Sequence, residues 1–284
     1  MGGTGCIVEY LKRIIMNDLS DNKEKLFIIK IGGNVIDDLN NLDSFLRDFA
    51  NIEGKKILVH GGGKIATAIG EQMGIQSKYI DGRRITDDET IDLVTMAYGG
   101  LVNKKIVAKL QLMNCNAIGI TGADANLLPA KKRPVKEIDY GWVGDVNAGE
   151  INSQKWKLFL DNGLIPVAAP LTHDGAGHIL NTNADTIAAV LSVNLSGCYD
   201  VKLIYCFEKD GVLLDVNDEN SVVKNVTSFR YKELKDSKSL FAGILPKIDN
   251  AFDAIINGVG EVVIGNSSKL SLLINGESGT KITG

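Results

Sequence analysis

The sequence has no cysteine pair at ligand spacing. Its four cysteines, Cys6, Cys115, Cys198 and Cys206, are scattered, and no Cys-x-x-Cys or Cys/His run occurs. Neither a disulfide framework nor a zinc site is indicated, and a reduced, cytoplasmic setting is expected. Positive charge is not in surplus either: 31 Lys and Arg stand against 35 Asp and Glu, a net charge of −4. A nucleic-acid binder needs a basic surface to displace counterions from phosphates, so that class is excluded. No apolar run reaches the roughly 18–20 residues of a membrane span. Length and composition are those of a globular chain of one large or two small domains.

What is present begins with residues 1–25, a polar, glycine-containing leader or extension with one amphipathic stretch over 7–16. It is too short and too charged for a signal peptide. Met1-Gly2 is followed by Cys6 where a myristoylation signal wants Ser or Thr. Met16 is a second candidate start.

The chain is organised around residues 26–34, where four apolar residues run into Lys30, Ile31, Gly32 and Gly33. A continuous apolar run of this length predicts a strand buried on both faces of a parallel sheet. Lys30 falls near its C-terminal end, where open α/β sheets hold their ligands. Gly32 and Gly33 let the backbone approach an anion, so both are candidate phosphate-binding residues. A strand end with a snorkelling lysine is the plainer reading of this stretch alone.

Helical spacing follows over 43–52, then a second strand over 56–60 ending in Gly61-Gly62-Gly63-Lys64, then a helix over 65–73. A glycine turn meeting a helix N-terminus is a ready anion site. It is not a Walker A loop, which would need Gly at Leu58 and Ser or Thr at Ile65. His60-Gly61-Gly62-Gly63 looks like an oxyanion-hole motif, but the Gly-x-Ser-x-Gly elbow of hydrolases is absent. His173 and His178 have no nucleophile in sequence context, and His60 reads as a core or loop hydrogen-bonding residue.

Residues 81–86 form a polar turn with two arginines, Arg83 and Arg84, candidates for a carboxylate clamp, with solvated surface charge as the plainer reading. Thr86 and Glu89 have capping-box spacing ahead of a helix over 88–101. A third strand spans 117–122, a hairpin excursion 126–147, a helix 151–163 and a fourth strand 164–170, with Pro166 leaving one ladder donor missing. A polar stretch over 171–178 leads to Asn181-Thr182-Asn183-Ala184-Asp185, more polar side chains than one helix cap requires, which points to a site, a plain turn being the alternative. A helix over 186–195, a fifth strand over 201–206, a helix over 248–256 and strands over 261–265 and 279–282 complete the pattern. Strands and helices alternate, so the class is α/β with a largely parallel sheet.

Five motifs now stand in order: Lys30-Ile31-Gly32-Gly33, His60-Gly61-Gly62-Gly63, Gly82-Arg83-Arg84-Ile85-Thr86, Asn181-Thr182-Asn183-Ala184-Asp185 and Gly243-Ile244-Leu245-Pro246-Lys247. Together, and from residue 26 to the C-terminus, they resemble the amino-acid kinase family, and within it the N-acetylglutamate kinases of arginine biosynthesis. The resemblance implies a carbamate kinase-like αβα sandwich with an open sheet. It implies an N-terminal lobe over 26–195 for the acyl-glutamate and a C-terminal lobe over 196–284 for ATP. Lys30 and Lys247 match the lysines that stabilise the transferring phosphoryl group, and Asp185 the aspartate that orients them. Gly62, Gly63, Arg84 and Asn181 match substrate-binding residues. Glu208, Asp210, Gly211 and Leu213 fall at the nucleotide contacts, although Cys206 to Gly211 replaces the Thr/Ser-Asp-Val-type turn common among relatives.

The implied reaction is ATP-dependent phosphorylation of the side-chain carboxylate of N-acetyl-L-glutamate, with Mg²⁺ held mainly by the nucleotide phosphates and no protein metal site. Thr182-Asn183 and the 131–145 excursion resemble a Bacteroidetes-like sub-branch, some of whose pathways use succinylated intermediates, so N-succinyl-L-glutamate is the alternative substrate. The stretch over 272–280 lacks the Glu-Leu-Phe-Thr-type run of arginine-inhibited relatives, which implies an arginine-insensitive homodimer; a helix in the leader would argue the other way. A non-catalytic amino-acid sensor would be expected to have lost Lys30, Asp185 or Lys247, and all three are present. Carbamate, aspartate and glutamate 5-kinases remain within the same family, the last two disfavoured because no appended domain follows the core.

Overall fold

The computed structural model describes residues 23–80, 82–215, 217–236 and 244–284. Residues 1–22 of the expected leader, Cys6 among them, and Gly243 of the fifth motif lie outside the described residues.

Strand β1 (Lys25–Ile31) is followed by helices α1 (Gly33–Asp37) and α2 (Leu39–Ala50). Helix α2 starts before the expected 43 because Asp38 caps it, accepting from the N–H groups of Asn40 and Asn41 at 2.9 and 3.1 Å. Then come β2 (Lys55–His60) and α3 (Gly63–Met73). The polar turn is a short hairpin, β3 (Tyr79–Ile80) and β4 (Arg83–Arg84).

The expected capping box is not formed. Helix α4 (Asp88–Val94) is capped by Asp87, which accepts from Thr90 N–H at 3.0 Å. Thr86 is fully buried and its hydroxyl is occupied elsewhere. Nor does this helix stop at 101. It runs through a π-helical segment, Thr95–Val102, into α5 (Asn103–Leu112). Such wider turns are often found at functional sites.

Strand β5 (Ala117–Ile120) leads to the expected hairpin excursion, β6 (Ala130–Lys132) with β7 (Gly144–Val146), and to α6 (Ser153–Asp161). Strand β8 (Ile165–Ala168) tolerates Pro166 because its pairing with β2 begins only at Val167. The polar stretch over 171–178 folds into a third hairpin, β9 (Leu171–His173) with β10 (Ile179–Asn181). Helix α7 (Ala184–Ser196), strand β11 (Asp200–Phe207), strand β12 (Asn225–Thr227) and helix α8 (Ser228–Asp236) follow. Helix α9 (Leu245–Ile256), strand β13 (Glu261–Asn266), helix α10 (Leu270–Asn275) and strand β14 (Thr280–Thr283) close the described chain.

Among the described residues eight strands pair into one sheet, in the order β12-β14-β13-β11-β1-β2-β8-β5. All neighbours are parallel except β13 and β14. The alternation of β1 assigns the two faces. Leu26 and Ile28 join the core under α6, α7 and α9, with Trp156, Leu191 and Ile248. Phe27, Ile29 and Ile31 join the core under α2, α5 and α10, with Phe45, Ile106 and Leu273. This is the expected αβα sandwich.

From β1 the chain passes to β2 on one side, and β11 pairs on the other. The C-terminal ends of these strands meet at a topological switch point, where open α/β sheets leave a crevice for ligands.

Candidate active site

Lys30 has the parity of Leu26 and Ile28, so it faces α7. Asp185, in the first turn of α7, meets it there: Nζ lies 2.7 Å from Oδ1. Lys247, in the first turn of α9, reaches the other oxygen, Oδ2, also at 2.7 Å. All three side chains are largely buried. Burial alone would raise the Asp185 carboxyl; the two ammonium groups outweigh it and bring the group down to about 2. Asn183 does the capping that α7 needs, accepting from the N–H groups of Asp185 and Thr186. Asp185 is thereby left free for the lysines. Tyr205, the register partner of Lys30 on β11, donates its hydroxyl to the Asp185 carbonyl at 3.1 Å and pins this turn to the sheet.

A second group of residues adjoins the first. Gly61 N–H donates to Ile31 O at 3.1 Å, tying the glycine loop to the end of β1. Gly62 has φ +152°, a region glycine favours, and a Cβ there would stand 3.0 Å from the Tyr98 ring. The Gly63 carbonyl accepts from Arg84 Nη2 at 2.8 Å, and the same nitrogen donates to Thr67 Oγ1 at 2.9 Å. Arg84 also donates from Nη1 to Ser77 and stacks on Tyr79. It is buried, whereas Arg83 is exposed. Thr86 donates to the Arg84 carbonyl and accepts from Asn181 Nδ2 at 3.0 Å. A chain of contacts therefore runs from the end of β1 through the glycine loop, Arg84 and Thr86 to Asn181, while Lys30 pairs with Asp185 at the C-terminal end of the same strand.

Gly32 and Gly33 lie at the β1–α1 junction. A Cβ on Gly32 would stand 3.8 Å from Lys30 Nζ, so its absence keeps the space beside the ammonium open. The four residues expected at a nucleotide lie past the end of β11. Glu208 is exposed, and its carbonyl accepts from Asn266 Nδ2 at 3.2 Å. Asp210 is ion-paired to Lys269 at 2.7 Å and accepts from Asn266 at 3.0 Å. Gly211 is wedged against Thr280 and Val222, and Leu213 is buried, so these two hold the loop by packing. Cys206 is also core; burial pushes its thiol up to about 12.

Among the described residues no group of three or more His, Cys, Asp or Glu is placed to hold a metal ion. The central carboxylate is already engaged by two lysines.

The amino acid kinase family profile matches residues 25–266. The chain belongs to the amino acid kinase family. Among relatives, the acetylglutamate kinase of Cytophaga hutchinsonii is 53% identical over 262 residues, covering 91% of this chain and 98% of that protein. That of Phocaeicola vulgatus is 52% identical over 260 residues, covering 92% and 99%. A solved Streptococcus mutans structure, smu.665, is 32% identical with a TM-score of 0.74, covering 91% of this chain and 98% of the other. The Giardia lamblia carbamate kinase bound to AMP-PNP shares the fold, with 14% identity, a TM-score of 0.68 and coverage of 93% and 99%.

This amino acid kinase carries functional candidates that sequence reasoning missed. Thr86 carries capping-box spacing in the sequence, and Tyr205 lies within the fifth expected strand with no motif around it. Asn266 and Lys269 lie in a segment without a motif. Tyr205 could be found only through its pairing with Lys30, which requires knowing that β11 lies beside β1.

Proposed function

We propose that the chain catalyses ATP-dependent phosphorylation of the side-chain carboxylate of N-acetyl-L-glutamate, forming an acyl phosphate in arginine biosynthesis. The observation that carries this reading is the Lys30–Asp185–Lys247 triad at the switch point. The relatives named acetylglutamate kinase support the substrate.

The residue types suit the chemistry. A side-chain carboxylate with an ordinary pKa of about 4.3 is already ionised at neutral pH, so no general base is required. The obstacle is the approach of that anion to a triphosphate, and phosphoryl transfer is mostly positioning and electrostatics. Lys30 and Lys247 supply two fixed positive charges from different elements, and Asp185 holds them apart and aimed. Gly32 and Gly33 offer unhindered backbone to phosphate. Gly62, Gly63, Arg84 and Asn181 hold the acyl-glutamate, Arg84 and Asn181 at its α-carboxylate. The loop of Glu208, Asp210, Gly211 and Leu213 borders the nucleotide.

Residues 26–195 serve as the acyl-glutamate lobe and 196–284 as the ATP lobe. Mg²⁺ accompanies ATP, takes its ligands mainly from the phosphates and offsets their charge. The same reading carries a cytoplasmic homodimer, which sedimentation and fractionation would test; among the described residues no helix is long and apolar enough to cross a membrane.

The test is a coupled ADP-release assay with ATP and Mg²⁺, comparing N-acetyl-L-glutamate with N-succinyl-L-glutamate, and with L-glutamate and L-aspartate as controls. Turnover with the acetyl compound is expected. Turnover with the succinyl compound alone would reassign the acyl group, and turnover with neither would overturn the reading.

A further inference from the structure

His60 ends β2 on the sheet face opposite Lys30, wholly buried. Its Nδ1 lies 2.7 Å from the Gly61 carbonyl oxygen, and its Nε2 lies 3.1 Å from Asn103 Nδ2. A carbonyl oxygen only accepts, so the proton is on Nδ1. An amide nitrogen only donates, so Nε2 carries the lone pair. The second Asn103 amide hydrogen goes to Val167 O at 2.9 Å. Turning that amide over would set its oxygen against two acceptors, so the orientation is fixed by the network. Burial draws the imidazole down to about 4 despite the Gly61 hydrogen bond, and the charge of Lys104 acts in the same direction. The ring is neutral through the physiological range.

This tautomer has a consequence for the glycine loop. The described peptides are trans, so a Gly61 carbonyl turned toward His60 turns the Gly62 N–H the opposite way. No hydrogen bond among the described residues takes the N–H of Gly62 or Gly63. The loop is clamped from one continuous helix. The π segment lays the Tyr98 ring against Gly62, and Asn103, directly after it, holds His60.

We propose that His60 is a positioning residue for phosphoryl transfer: a neutral Nδ1–H donor, locked by Asn103, that turns the Gly61–Gly62 peptide so that the Gly62 N–H faces the reacting groups. The proposal rests on the N-acetylglutamate kinase reading. An aimed backbone donor of this kind contributes roughly 100-fold or more to rate.

His60→Leu is expected to lower kcat/KM for N-acetyl-L-glutamate by about 100-fold while the Kd for ATP stays within about twofold. His60→Asn, whose amide N–H can donate from near the Nδ1 position, is expected to recover activity to within about tenfold of wild type. A folded His60→Leu enzyme losing less than about threefold, or folded Leu and Asn variants equally impaired, would overturn the proposal. Imidazole nitrogen NMR on the wild-type protein decides the point even if His60→Leu does not fold. A protonated Nδ1 and bare Nε2, unchanged down to about pH 5, are expected. An Nε2–H tautomer, or titration near the ordinary value of about 6.5, would overturn the proposal. Absence of wild-type turnover is a separate failure, that of the underlying reading, because the tautomer is read without substrate.

Discussion

Lys247 reaches across 62 residues of sequence to place its Nζ 2.7 Å from Asp185 Oδ2. Lys30 holds the other oxygen at the same distance. One carboxylate thus fixes the spacing of two ammonium groups from separate elements. If that spacing matches the charge of a transferring phosphoryl group, each lysine acts mainly in the transition state. Lys30→Ala and Lys247→Ala are each expected to lower kcat by about 100-fold or more, with a smaller change in KM. Steady-state kinetics on the two variants check this, and near wild-type kcat in either removes that lysine from the assignment.

Asp185→Asn probes the same triad through stability. The Asp185 carboxyl, at about 2, lies below its ordinary 3.8. A depressed acid stabilises the fold fully above its unfolded value and loses that contribution as pH falls through the folded one. The wild-type advantage over Asp185→Asn is therefore expected to be flat near neutrality and to shrink as pH drops from about 4 toward 2. The pH-dependent part amounts to roughly 2 kcal/mol. Urea unfolding of both proteins at stepped pH measures it; an advantage that does not fall in acid would mean that the lysines do not hold the carboxylate.

The buried strands were legible because burial on both faces writes a continuous apolar run, as in residues 26–31. The triad was legible only through the family resemblance. Nothing in the spacing of Lys30, Asp185 and Lys247 brings them together until β1, α7 and α9 are assembled. Local polar signals misled in a consistent way. Thr86 and Glu89 had capping spacing, but Asp87 was the better cap and left Thr86 to join Arg84 with Asn181. The helix predicted to end at 101 continued because Gly99 and Gly100 sit in a π segment rather than a terminus. Strand β12 was missed because three residues carry too little periodicity to read.

Arg84 uses a planar fork, not only a charge. Its Nη2 serves Gly63 O and Thr67 Oγ1, its Nη1 serves Ser77, and its plane stacks on Tyr79, 4.8 Å from the ring centroid. Lysine keeps the charge and loses the geometry. Arg84→Lys is expected to raise KM for N-acetyl-L-glutamate by roughly 10- to 100-fold, with a smaller effect on kcat and none on ATP affinity. Stability is expected to fall by about 1–3 kcal/mol from the acceptors left unpaired. An unchanged KM would mean that Arg84 supports the hairpin and does not meet the substrate.

Gly119 sits on β5 with no room for a side chain. A Cβ there would stand 1.9 Å from Asn103 Oδ1, a buried oxygen with no hydrogen-bond partner. Gly119→Ala must displace Asn103, and Asn103 holds both His60 and the Val167 carbonyl. Overpacking of this kind costs about 1–3 kcal/mol. Removing the obstructing amide should relieve it, so the two sites are coupled. Gly119→Ala is expected to destabilise the wild-type background strongly and the Asn103→Ala background weakly, with a coupling of about 1 kcal/mol or more. Urea midpoints of the wild type, both single variants and the double variant complete the cycle. Additive effects would mean that β5 yields and Asn103 stays, leaving the His60 network undisturbed by the new methyl group.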